Sequence, residues 1–228
     1  MFDEDSPNAV HQADLMYLPH DRIGRRTYKY ALTVVDVASR YKEAEPLTDK
    51  SATEVAAALG RIYKRGPLTW PRLLQVDPGR DFMGAVSQLL AKNNVSVRCG
   101  HVDIHRDQGI VERFDCMLDE RLFGQQYAQE LLLAAHRSSE RSAEWVVHLP
   151  DVVAALNDEV TWLTGKKPSE GIKARSVAQK PSAPADRVLG LHEQKPPSSV
   201  GVRYLYQPSE LEGGRRHATD PVWSLTVH

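Results

Sequence analysis

The sequence predicts an α/β chain in which a mixed sheet carries helices on both faces. Three observations support this. Residues 12–46 hold three consecutive strand patterns, which read as an antiparallel meander. Residues 51–98 then alternate helix, strand, helix and strand, an order that adds parallel strands to the sheet. With 228 residues, 41% of them apolar, the chain can bury one well-packed domain and carry an appendage.

Residues 12–18, Q-A-D-L-M-Y-L, suit a strand whose single charge is Asp14, and an acid there is costly unless it is paired. Residues 19–26 carry turn chemistry in His20, Asp21 and Gly24, and residues 27–37 form a long β-branched and aromatic strand that closes a hairpin. In residues 40–46, Tyr41, Glu43 and Glu45 alternate with Lys42 and Ala44, as in a strand near a sheet edge. Ser51 with Glu54 three residues on is a capping box, and Gly66 stops the helix it opens. Leu73-Leu74-Gln75-Val76 reads as a short buried strand, and Pro78-Gly79 turns the chain away, which leaves Asp77 at the strand end. A helix over 82–92, stopped at Asn93-Asn94, and a strand over 95–98 follow.

Residues 100–107 have no periodicity and read as a loop, with residues 101–107 as a gate over neighbouring carboxylates. Beyond it Val111, Phe114, Leu118 and Leu122 share one helix face, from whose edge Glu112 projects. Residues 126–137 and 145–163 are predicted helices, the second with Val160 and Leu163 continuing its apolar side and Gly165 as its stop. The core is expected over residues 9–172, a Pro- and Ser-rich linker over 173–200, and a segment with a Gly-Gly turn, too short to fold alone, over 201–228.

No run approaches the roughly twenty apolar residues of a membrane span, so no membrane partner is expected. The acidic opening Met1-Phe2-Asp3-Glu4-Asp5 has no apolar signal core and points to a nuclear or cytoplasmic location. Cys99 and Cys116 form no C-x-x-C unit. With His101 and His105 they match no regular zinc spacing, so a basic loop explains them better. A formal charge of −1 excludes a chain that simply coats nucleic acid, and binding must come from local patches. These are Arg22, Arg25, Arg26 and Lys29; Arg61, Lys64 and Arg65; and Arg98, His101, His105 and Arg106. Taken alone, each reads as a solvated face. From residue 166 to 216, ten Lys or Arg stand against five acids.

Asp14, Asp77 and Glu112 are carboxylates on three separate elements with no accompanying Cys or His pair, a donor set that favours magnesium or manganese over zinc. Two such ions suit in-line phosphoryl displacement, and crowded carboxylates titrate as a coupled set. Each acid also has an ordinary reading: an ion-pair partner for Asp14, a turn cap for Asp77, a solvated helix residue for Glu112. Asp36 reads as structural, because Ser39 and Arg40 offer it a local turn role.

The segments H-Q-A-D-L, T-V-V-D-V-A-S-R-Y, V-D-P-G-R-D-F and Q-G-I-V-E-R-F, with thirty-five residues from Asp77 to Glu112, resemble the catalytic core of retroviral and retrotransposon integrases, the D,D(35)E group. The resemblance extends through W-V-V-H-L-P-D-V-V-A-A-L-N-D-E-V and T-G-K-K-P-S-E-G and covers residues 10–172. It implies a ribonuclease H-like five-stranded mixed sheet flanked by helices, followed by the linker and part of a small SH3-like β-barrel. It implies two Mg2+ (or Mn2+) ions on Asp14, Asp77 and Glu112, and a polynucleotidyl transferase that joins a 3′-hydroxyl DNA end to target DNA, with an accompanying endonuclease activity. DNA ends, target DNA and further copies of the chain are the implied partners. Arg106, Arg113, Arg203, Arg215 and Arg216 are the expected nucleic-acid contacts, whose phosphate binding weakens with salt. Such integrases usually carry a His/Cys zinc-binding domain ahead of the core, where thirteen residues precede Asp14 here, so a fragment is expected. Asp81 stands where relatives often have Glu, at a position that binds no metal in the family. The alternatives are a domesticated or truncated remnant that binds nucleic acid or a partner without catalysis, and a ribonuclease H-like nuclease that uses water.

Overall fold

A computed structural model describes residues 5–77, 79–99, 108–135 and 144–180. The elements follow in the order β1 (Val10–Ile23), β2 (Arg26–Asp36), β3 (Lys42–Leu47), α1 (Ala52–Arg65), β4 (Leu73–Val76), α2 (Ala85–Lys92), β5 (Ser96–Cys99), α3 (Gly109–Ala135), α4 (Trp145–Asp158) and α5 (Pro168–Gly171). They build one five-stranded sheet in the order β3-β2-β1-β4-β5. The β1–β2 and β2–β3 pairs are antiparallel, and β1–β4 and β4–β5 are parallel. This is the five-stranded mixed sheet that the resemblance implies, with β3 at an edge.

Alternate strand residues point to opposite faces, and each face has its own core. On one, Ala13, Leu32, Val34, Leu74 and Val76 meet Val55, Leu59 and Ile62 of α1 and Val86 and Leu90 of α2. On the other, Leu18, Ala31, Val35 and Ala44 meet Val111, Phe114, Leu118 and Leu122 of α3 and Leu149, Val152, Val153 and Leu156 of α4. The α3 residues are the predicted apolar face, and each such buried side chain contributes about 1.5–3 kcal/mol. Helix α1 starts and ends as expected: Ser51 Oγ accepts from the Glu54 N–H at 3.4 Å, and Gly66, at φ 67°, donates to Ile62 O.

Several boundaries differ from the sequence reading. β1 does not turn at Pro19 but continues to Ile23, with its register shifting between Tyr17 and Asp21, so Pro19 sits at an irregularity where no ladder hydrogen bond is required of it. The predicted helix over 82–92 is a 3-10 turn at Arg80–Phe82 and then α2, interrupted at Gly84 with φ 58°. Gly124 does not divide α3, since one glycine costs a helix only about 1 kcal/mol. Helix α4 ends at Asp158 rather than running to residue 163, because Thr161, Thr164 and Lys166 close a local turn on one another and compete with helix bonds. Val160 is accordingly 63% exposed, not part of an apolar face. Residues 173–180, read from sequence as the start of a linker, lie on the core: Val177 is buried, its N–H donates to Asp5 O at 2.8 Å, and Lys180 N–H donates to Leu163 O at 2.9 Å. The expected remainder of the linker and the expected barrel segment fall outside the described residues. No described helix is long and apolar enough to cross a membrane.

Candidate active site

Asp14 is half-buried on β1, opposite Thr33 of β2. The Leu15 N–H donates to its Oδ1 at 2.7 Å, and Thr33 Oγ1 donates to its main-chain carbonyl at 3.3 Å. The parallel β1–β4 register ends at Ala13 opposite Val76, so the next residues along the two strands, Asp14 and Asp77, are neighbours whose charges act on one another. Glu112 is exposed in the first turn of α3.

A pair of glutamines ties the three elements together. Gln12 and Gln75 face one another in register, and Gln12 Nε2 donates to Gln75 Oε1 at 2.8 Å. The Gln12 Oε1 then accepts from the Val111 N–H at 3.1 Å. Gln12 lies two residues before Asp14, Gln75 two before Asp77, and Val111 directly before Glu112. One buried side chain therefore sets the β1–β4–α3 junction from which all three acids depart. A polar residue within each apolar strand run was the available sequence signal.

The structure adds a fourth carboxylate. Asp115 follows Glu112 by three residues, a spacing that puts both on one side of α3. It lies against Thr33 and Asp14. Burial, opposed by the Thr33 hydroxyl and reinforced by the charges of Asp14 and Glu112, pushes Asp115 up to about 8. This environment favours its protonated form, which can donate to Asp14 in a hydrogen bond. Burial likewise pushes Asp14 above the usual carboxylate range against the Leu15 N–H, and the charge of Asp77 acts in the same direction.

Among the described residues no three or more His, Cys, Asp or Glu side chains close into a ready-made metal cage. The donor chemistry nevertheless fits a hard divalent cation. The set is oxygen only, and Asp115 Oδ1 is buried with no hydrogen-bond partner. Asp14, Asp77 and Glu112 are the residues that would hold such an ion.

Other candidates separate. Arg113 is exposed beside Glu112, whereas Arg106, Arg203, Arg215, Arg216 and the gate at residues 101–107 fall outside the described residues. Cys99 and Cys116 are free and exposed. The basic patch closing α1 is largely absorbed by β3: Arg61 Nε meets Glu45 at 2.6 Å, and Arg65 meets Glu45 at 3.0 Å and Glu43 at 2.7 Å. Asp36 is fully buried and caps the turn at Ser39, a structural role.

Residues 4–103 match the model of the family described as integrase core domain, a span that includes Asp14 and Asp77. An uncharacterized transposon-derived protein of Caenorhabditis elegans is 31% identical over 140 residues, covering 61% of this chain. The chain spans 44% of the length of that relative. Among solved structures, the human T-lymphotropic virus 2 (HTLV-2) integrase catalytic core domain in complex with magnesium superposes with a TM-score of 0.53 at 17% identity, covering 72% of this chain and 96% of that one. The bovine immunodeficiency virus (BIV) integrase catalytic core gives 0.53 at 19% identity, covering 72% and 92%. A simian T-cell lymphotropic virus intasome in complex with a PP2A regulatory subunit gives 0.57 at 16% identity, covering 88% and 64%. At these identities the structural likeness concerns the fold.

Proposed function

We propose that this chain is an integrase core and a polynucleotidyl transferase that joins a 3′-hydroxyl DNA end to target DNA, a reading supported by the family match over residues 4–103 and by the ribonuclease H-like fold. The observation that carries the reading is the glutamine brace, which sends Asp14, Asp77 and Glu112 out from one junction of two strands and a helix. Asp14, Asp77 and Glu112 would hold two Mg2+ or Mn2+ ions, which supply activation of the attacking hydroxyl and stabilisation of the leaving oxyanion. The chain's own residues prepare that environment. The Leu15 N–H fixes Asp14, and Thr33 and Asp115 support it from β2 and α3. Asp115, whose burial favours the protonated form, limits the negative charge the cluster carries. The DNA partner, assembly of several copies and action in the nucleus belong to the same proposal.

The test is an assay with a labelled DNA end, magnesium and a target plasmid. Joined products are expected, and Glu112→Gln should reduce them by about a thousandfold or more, the scale on which loss of a group stabilising transition-state charge acts. Unchanged joining by that variant would overturn the mechanism. Cleavage without joining would make the chain a nuclease, and binding without either would make it a non-catalytic remnant.

A further inference from the structure

The β1–β2 hairpin outruns the sheet. β4 pairs with β1 only as far as Ala13, and β3 pairs with β2 only between Tyr30 and Val35. Residues 18–29 therefore stand past both neighbours as a two-stranded ribbon. Asp14 pairs with Thr33 and Ile23 with Arg26, so along the regular strand β2 the ribbon tip lies about 23 Å from Asp14 at roughly 3.3 Å per residue, within the ~34–36 Å of one turn of duplex DNA.

The ribbon is braced rather than loose. Asp21 is buried and accepts from the Val146 N–H at 2.9 Å, and Trp145 Nε1 donates to Pro19 O at 2.7 Å, so the start of α4 holds one side of it. The tip is cationic. Arg22, Arg25 and Arg26 are exposed, and among the described residues none of them joins an ion pair, whereas Arg61, Arg65 and Arg121 all do. Arg22 Nε reaches only the Gly24 carbonyl, at 3.4 Å. Tyr17, 67% exposed, and His20 of the same strand meet edge-to-face.

We infer that the ribbon tip is a phosphate-contact surface for duplex DNA, with Arg22, Arg25 and Arg26 neutralising backbone phosphates within one helical turn of the phosphodiester held at Asp14, Asp77 and Glu112. The inference rests on the reading of those acids as a DNA-processing site. It adds the face along which the duplex leaves that site.

The experiment is a salt series of fluorescence anisotropy with the full chain and a labelled duplex of about three helical turns. Arg22→Gln, Arg25→Gln and Arg26→Gln combined should flatten the slope of log affinity against log salt by about 2–3 and weaken binding about tenfold or more at moderate salt. Lys50→Gln, Lys92→Gln and Lys173→Gln combined remove the same charge elsewhere and should bind like the parent. If circular dichroism shows the triple ribbon variant unfolded, Arg25→Gln alone, in the turn, carries the test with an expected slope change of about 1. An unchanged slope in the ribbon variants overturns the inference. So does an equal loss in the control, or a loss with duplex RNA but not duplex DNA. The readout is binding, so absent strand transfer with a ribbon-dependent slope would sink the catalytic reading alone.

Discussion

Asp36, fully buried at the end of β2, accepts hydrogen bonds from the Asn8 and Ser39 N–H groups, each at 2.7 Å, and from the Ser39 hydroxyl, with His11 Nε2 at 3.5 Å. Burial alone would raise its carboxyl, but the neighbouring His11 and the Ser39 hydrogen bonds outweigh that and hold it below its ordinary 3.8. The stabilisation is therefore fully present above 3.8 and is lost as pH falls through the lower folded value. Urea midpoints of the parent should drop as the pH is taken below about 4, while Asp36→Asn should start about 2–4 kcal/mol less stable and drop less steeply. A parallel pair of curves would count against this role. The same environment explains what the sequence disclosed and what it hid. Asp14 stood out as a lone acid in an apolar strand and Asp77 as an acid at a strand end. Asp115 looked like one more acid on a charged helix, because only packing against Thr33 and Asp14 distinguishes it.

At the scale of elements, the exposed edge of the sheet is managed by a side chain. Asn157 of α4 accepts from the Lys42 N–H at 2.9 Å and donates to the Lys42 carbonyl at 2.8 Å, satisfying both main-chain groups of the first residue of β3. Asn157→Leu leaves that buried pair unmet. Chemical denaturation should report a loss of about 2–3 kcal/mol, and a loss below about half a kcal/mol would show the bonds to be replaceable. The order and type of the elements could be read from periodicity, capping and turn residues, because those act locally. Their lengths could not, because β1 crosses Pro19 where α4 supplies bonds from 125 residues away, and α3 crosses Gly124 where its length outweighs one glycine.

For the whole molecule, residues up to Lys180 form one compact unit. Beyond α5, Ser176 Oγ donates to Asp5 Oδ2 at 2.9 Å, Arg40 donates to Gln179 Oε1 at 2.9 Å, and Val177 is buried. A chain cut after Lys180 should melt within about 2 °C of the parent transition, whereas one cut after Ile172 should lose about 2–3 kcal/mol, since it gives up a buried Val and these bonds. Equal melting of the two truncations would show that residues 173–180 add nothing. The glutamine brace also has a bearing on the order of folding. Gln12 and Gln75 are 63 residues apart, and Gln12 and Val111 are 99 apart, so the acids cannot gather while only the local β1–β2 hairpin has formed. A nascent or half-folded copy therefore holds Asp14 without its companions, and the proposed site is complete only once the distant strand and helix have docked.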